Sequence, residues 1–184
     1  MNPNDDYDIY EKGIPFEHAP SNFKMNFRFR VQNRITFEDF DEDDKTKSDT
    51  LDFAVRRMRM RFEGQILEPT VLYRFQFAFT RGDMDYDNYP YPNILRDAVI
   101  GWKFLPHSTL WFGMAKLPGN RQRVTSSSAQ EFVDRSLLNA TFNIDRDTGL
   151  QFWQQFGDER PVWLKVALGD GDGRNVNNKG LALS

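Results

Sequence analysis

Residues 54–64 read Ala-Val-Arg-Arg-Met-Arg-Met-Arg-Phe-Glu-Gly, and from Arg57 onward charged and apolar side chains alternate. Successive side chains of a β-strand point to opposite faces, so this stretch predicts a strand with one charged and one apolar face. The charged face carries Arg57, Arg59, Arg61 and Glu63, and the apolar face carries Met58, Met60 and Phe62. In a soluble protein the apolar face packs on a core, whereas in a membrane barrel it contacts lipid and the arginines line a water-filled lumen. The rest of the chain decides between these two folds.

The same alternation recurs along the chain. Residues 23–37 place apolar side chains on one face and basic or amide side chains on the other, with Asn33 as the exception. This predicted strand is longer than the roughly five or six residues typical of globular proteins. It suits a tilted strand that crosses a bilayer, which needs about nine to eleven residues. Further alternating segments predict strands at 51–64, 71–80, 95–104, 109–116, 148–156 and 162–168, and an eighth that begins at 181–184.

The connections between these predicted strands alternate between long and short. Outer-membrane barrels have short periplasmic turns and longer extracellular loops, and a soluble sandwich has no reason to keep this rhythm. Residues 1–21 are predicted to be an irregular N-terminal extension, and residues 22–184 part of a transmembrane antiparallel β-barrel. A long loop of the constriction type is predicted at 117–147, with a short helix at 128–137. Because bacterial barrels have even strand counts, the seven or eight strands here predict the N-terminal half of a sixteen-stranded barrel.

Composition narrows the function further. The 184 residues contain no cysteine and carry 24 basic and 27 acidic side chains, for a formal charge of -3. This balance argues against a nucleic-acid partner, and no run of about twenty apolar residues predicts a transmembrane helix. The start of the chain lacks the basic and apolar regions of a signal peptide. Neither His-Glu-x-x-His nor Gly-x-Ser-x-Gly occurs, so the sequence predicts neither an enzyme nor a cofactor.

The charged face supplies the candidate functional residues. Rings or ladders of arginine and lysine attract anions through a pore, and the guanidinium fork matches phosphate oxygens. The predicted pore-lining residues on the strands are Arg28, Arg30, Arg34, Arg57, Arg59, Arg61, Arg74 and Lys103. On the long loop they are Lys116, Arg121, Arg123 and Arg135. The competing interpretation is that these arginines pair with carboxylates such as Glu63 or Asp97 and brace the barrel wall.

Three functions remain open on the residues alone. The first is an anion-conducting outer-membrane porin. The second is a non-conducting outer-membrane barrel that serves as a structural or docking subunit of an envelope complex. The third is a soluble β-sandwich or a lipocalin-like binder, which strand length and loop rhythm disfavour.

The chain resembles the phosphate-selective porin O and P family over residues 52–184. The resemblance rests on six segments in order: residues 56–64, 95–103, 112–118, 131–137, 146–151 and 169–175. It implies an outer-membrane β-barrel, usually sixteen-stranded and homotrimeric, that passes phosphate or other small anions and contacts outer-membrane lipid. One departure is Lys116-Leu117-Pro118-Gly119-Asn120, where the family often has Lys-Glu-Pro-Phe-Gly. The resemblance therefore implies a pore whose constriction loop differs from the usual pattern.

Overall fold

The computed structural model describes residues 13–38, 50–67, 70–84, 93–119, 145–171, 173 and 182–183. Its strands are β1 (Ile14–His18), β2 (Phe23–Glu38), β3 (Thr50–Ile66), β4 (Val71–Ala78), β5 (Leu95–Leu105), β6 (Ser108–Lys116), β7 (Arg146–Phe156), β8 (Val162–Gly169) and β9 (Ala182–Leu183). They form one antiparallel sheet in which each strand pairs with its neighbours in the sequence, from β1 to β9. The predicted all-β antiparallel fold is confirmed. Within the described residues β1 and β9 do not pair with each other, so the sheet is open.

No helix in the described part of the chain is long and apolar enough to cross a lipid bilayer.

The first strand corrects one prediction. Residues 1–21 were expected to be irregular, but Ile14–His18 pairs antiparallel with Phe23–Phe27 of β2. Pro15 obscures this strand in the sequence because proline lacks the N–H of a regular ladder. An edge strand tolerates proline, since the N–H on its outer side needs no partner within the sheet. The sheet therefore begins earlier than the alternation pattern indicates.

The structure has the long strands and the alternation of short and long connections that the sequence predicts. β2 and β3 contain 16 and 17 residues and pair along nearly their whole length. Consecutive antiparallel pairing places alternate connections at opposite ends of the sheet. The connections at one end are short: 19–22, 67–70, 106–107 and 157–161. Those at the other end are long: 39–49, 79–94, 117–145 and 170–181. The short helix predicted at 128–137 lies outside the described residues.

Two β-bulges set which side chains share a face. Gln32 pairs with Arg57 and Asn33 with Val55, so Arg56 is an extra residue in β3. Because one extra residue reverses the parity, Val55, Phe53 and Leu51 lie on the same face as Met58. A strict period of two would have placed Val55 beside the arginines. A second bulge, between β4 and β5, makes Arg96 the extra residue.

The two faces of the sheet differ sharply. The face that carries Met58, here called the apolar face, exposes large hydrophobic side chains along almost every strand. Examples are Phe53 (69% exposed), Ile100 (54%), Phe112 (64%) and Leu164 (48%). The opposite face, here called the polar face, buries the small cluster of Val99, Trp111 and Ala115. An exposed apolar surface of this extent marks contact with an apolar environment or a partner surface.

Candidate functional site

The arginines of β2 and β3 stand opposite one another on the polar face. Arg28 is the register partner of Arg61, Arg30 of Arg59, and Gln32 of Arg57. Directly opposed side chains lie about 5 Å apart at Cβ, and like charges in such pairs repel. On this face the two strands carry Lys24, Arg28, Arg30, Arg34, Arg57, Arg59 and Arg61 against the carboxylates Glu38, Asp52 and Glu63. Cations are therefore concentrated here although the chain as a whole is acidic.

Glu63 is shared by three arginines. Its carboxylate lies 3.7 Å from Arg28 and 3.5 Å from Arg74, and it accepts a hydrogen bond from Arg61. The side chain of Glu63 is 21% exposed. A carboxylate between three guanidinium groups offsets their mutual repulsion and fixes their positions. Glu63 therefore braces β2, β3 and β4, as the competing interpretation of the sequence expected.

Asp83 holds residues 79–84 against the sheet. Arg59 donates two hydrogen bonds of 2.6 Å to its carboxylate, in the bidentate arrangement typical of arginine. Arg96, at the second bulge, donates to the Asp83 carbonyl oxygen at 2.9 Å. Burial by itself raises the pKa of Asp83, but the hydrogen bonds and charge of Arg59, followed by the charge of Arg96, outweigh it. The pKa of Asp83 is therefore below its usual value.

Arg56, the extra residue of the first bulge, lies next to the same segment. The Thr80 hydroxyl donates to the Arg56 carbonyl oxygen at 3.4 Å. A Cβ built on Gly82 would lie 3.1 Å from the Arg56 guanidinium. Both bulges therefore carry an arginine next to residues 80–83. The sequence shows an Arg-Gly-Asp tripeptide here but no sign of these contacts, because they depend on chain segments that are distant in sequence.

A third carboxylate ties β5 to β7. Arg146 donates to Asp97 at 2.7 Å, with both side chains almost fully buried, and to Asp145 at 3.1 Å. Asp97 therefore pairs with an arginine, as the competing interpretation expected, and links β5 to β7. Arg146 belongs to β7 rather than to a loop, so β7 begins two residues before its predicted start.

The structure places the predicted pore residues as follows. The alternation of the strands and their register bring one group together on the polar face: Arg28, Arg30, Arg34, Arg57, Arg59, Arg61, Arg74 and Lys103. Lys116 ends β6, opposite Arg146. Arg121, Arg123 and Arg135 lie outside the described residues, so their predicted convergence at a constriction stays a prediction. Among the described residues no group of three or more His, Asp or Glu side chains is arranged to hold a metal ion.

The polar face also carries an aromatic group. Trp111 of β6 and Trp153 of β7 have ring centroids 5.5 Å apart. Arg74 lies over the Trp111 ring at 5.5 Å, and Lys165 over the Trp153 ring at 4.0 Å. Parity turns Trp111 toward this face, but its pairing with Trp153 follows from the β6–β7 register, which the sequence does not reveal.

Comparison with known proteins agrees with this geometry. The family model for phosphate-selective porin O and P matches residues 25–184, which is most of the chain. A protein of Aquifex aeolicus (strain VF5), described as uncharacterized, is 25% identical over 122 residues, which cover 60% of this chain. The chain spans 30% of the length of that relative. On the strength of the family match, the chain belongs to the phosphate-selective porin O and P family.

Proposed function

We propose that this chain forms part of an outer-membrane pore through which phosphate or other small anions diffuse. The observation that carries the proposal is the pairing of Arg28 with Arg61 and of Arg30 with Arg59, on the face opposite the exposed apolar face. An anion pathway needs positive charge that attracts without trapping, spread over several positions. Family membership supports passage by a channel rather than catalysis.

We further propose that the open sheet is part of a closed barrel, sixteen-stranded and homotrimeric as the resemblance implies. Open sheet edges do not occur where backbone contacts lipid, because unpaired N–H and C=O groups find no partner there. The exposed apolar face, with residues such as Phe53 and Phe112, supports contact with outer-membrane lipid. Closure would turn the polar face toward a water-filled lumen.

The candidate residues then have two roles. Along the lumen wall, cations would lower the electrostatic barrier for anions: Arg28, Arg30, Arg34, Arg57, Arg59, Arg61, Arg74 and Lys103. At the constriction, Lys116, Arg121, Arg123 and Arg135 would set which anions pass. Glu63 and Asp97 would hold the wall in shape while leaving an excess of cations on β2 and β3.

The test is ion selectivity of the full-length protein in a planar bilayer. A KCl gradient should give a reversal potential of the anion-selective sign, and added phosphate should reduce the chloride current. Arg30→Gln should lower the anion-to-cation permeability ratio by about fivefold, since one charge at roughly 8 Å in water attracts an anion by about 0.5 kcal/mol and repels a cation by the same amount. Arg160→Gln, in a short connection away from the polar face, is the matched control and should leave the ratio unchanged.

Cation preference would overturn the anion pathway. An intact barrel that gives no current would instead favour the second function, a structural or docking subunit of an envelope complex.

A further inference from the structure

Two tryptophans on the polar face flank Lys165 of β8, and a third packs against one of them. The Lys165 ammonium lies 4.0 Å from the ring centroid of Trp153, its register partner on β7, and 5.5 Å from that of Trp163. Trp111 continues the group, 5.5 Å from Trp153. Trp163 also lies on the polar face and is 49% exposed. Aromatic rings and a cation are therefore presented together on the face proposed to line the lumen.

The charge of this group is unbalanced. Arg74 lies over Trp111, which packs against Trp153, the ring over which Lys165 stands. Among the described residues no carboxylate forms an ion pair with Lys165, whereas Arg74 also contacts Glu63 at 3.5 Å. Two cations held near each other over indole rings are stabilised by an anion placed between them.

One indole donor in the group makes no hydrogen bond to any described residue. The Trp153 N–H donates to the Gln151 side-chain oxygen at 3.2 Å. In contrast, the Trp111 N–H is buried and makes no hydrogen bond within the part of the chain that the structure describes. Trp111 itself is 8% exposed. A buried donor without a partner is costly and is normally satisfied by a ligand, water or another group.

We propose that Trp111, Trp153, Lys165 and Arg74 form a subsite for aromatic carboxylates inside the pore. This inference rests on the proposed anion-pore function and names a substrate class for it. An aromatic carboxylate would place its ring against the indoles and its carboxylate near Lys165, Arg74 and the free Trp111 N–H. Inorganic phosphate matches the cations and the donor equally well but gains nothing from three indoles. The combination of rings with cations is what favours an aromatic anion over an inorganic one.

The test compares benzoate with acetate, which shares the carboxylate but lacks the ring. Binding of each labelled anion to the detergent-solubilised full-length protein is measured by equilibrium dialysis, and block of the chloride current is measured in planar bilayers. We expect benzoate to bind several-fold more tightly than acetate, because each ring–ring contact contributes about two- to tenfold in affinity. Trp153→Leu should remove most of this preference, and Lys165→Met should weaken benzoate binding about tenfold, the effect of a charge-assisted hydrogen bond.

The matched control is Trp102→Leu. Trp102 is 55% exposed on the apolar face, so its loss should leave benzoate binding unchanged. Equal binding of benzoate and acetate would overturn the subsite, as would unaltered benzoate binding in Trp153→Leu. If Trp153→Leu does not fold, Lys165→Met decides the question by the same readout.

Dialysis and current measurements together distinguish the subsite proposal from the pore proposal. Benzoate preference in a protein that passes no current would refute the pore but keep the subsite. Anion current without benzoate preference would refute the subsite alone.

Discussion

Replacement of Glu63 by glutamine tests whether one carboxylate holds three arginines in place. Glu63→Gln keeps the size of the side chain and removes its charge. Arg28, Arg61 and Arg74, which now share the carboxylate, would then lose the charge that offsets their mutual repulsion at this point. The polar face would also gain one unit of positive charge. We therefore expect lower stability together with stronger attraction for anions.

The size of the effect follows from the distances and from exposure. One ion pair at about 4 Å is worth roughly 4 kcal/mol at an effective dielectric of about 20. Glu63 lies 3.7 Å from Arg28 and 3.5 Å from Arg74. Its side chain is 21% exposed and those of its three partners are 25–41% exposed, so water partly screens these ion pairs. Desolvation of the charged groups offsets a further part of the attraction. We expect Glu63→Gln to lower the free energy of unfolding by about 2–3 kcal/mol, between the values for exposed and buried pairs.

The assay is reversible urea unfolding of the full-length protein in lipid vesicles, followed by tryptophan fluorescence. Glu17→Gln is the matched control, since the ion pair of Glu17 with Lys24 at 3.4 Å has both side chains more than half exposed. That pair should contribute less than about 0.5 kcal/mol. Equal losses in the two variants, or a loss below about 0.5 kcal/mol in Glu63→Gln, would refute the bracing role of Glu63.

Two other changes test the connection at 79–94 and the apolar face. The pKa of Asp83 is lower in the folded state than in the unfolded state, so its contribution to stability is fully present above the unfolded value and disappears as the pH falls through the folded value. Asp83→Asn should cost about 3 kcal/mol at pH 7, because it removes the carboxylate charge that the largely buried Arg59 and Arg96 contact. It should also flatten the loss of stability below about pH 4. Urea unfolding at a series of pH values measures both effects, and an unchanged acid dependence would contradict the assignment. Ile100→Arg places a charge on the exposed apolar face and should cost about 2–4 kcal/mol if that face contacts the bilayer interior. Gln155→Arg, on the polar face, should cost less than about 1 kcal/mol in the same assay; equal costs would argue against a lipid-facing surface.

The sequence predicted most of the sheet because strand formation here is encoded locally. A period of two over β2 and β3 assigns each side chain to a face without knowledge of any partner strand. The spacing of the polar connections likewise gives the antiparallel order. Residues 14–18 escaped this reasoning, because their strand is short, contains Pro15 and is recognised only through its pairing with β2.

The bulges mark the limit of the alternation rule. Val55 lies on the apolar face only because Arg56 is an extra residue relative to β2. A bulge is a mismatch between two strands, so it cannot be read from either strand alone. The contact of Arg96 with Asp83 depends on a second mismatch of this kind.

By itself, therefore, the sequence determined that the chain forms long antiparallel strands, and it determined which side chains are basic and which face most of them take. Only the tertiary structure decided which carboxylate meets which arginine, with Glu63 reaching Arg28 and Arg74 across two strand boundaries. It also placed Lys165 over Trp153. The physical reason is that the face of a side chain follows from local backbone geometry. Its partner follows from the register between segments that are remote in sequence.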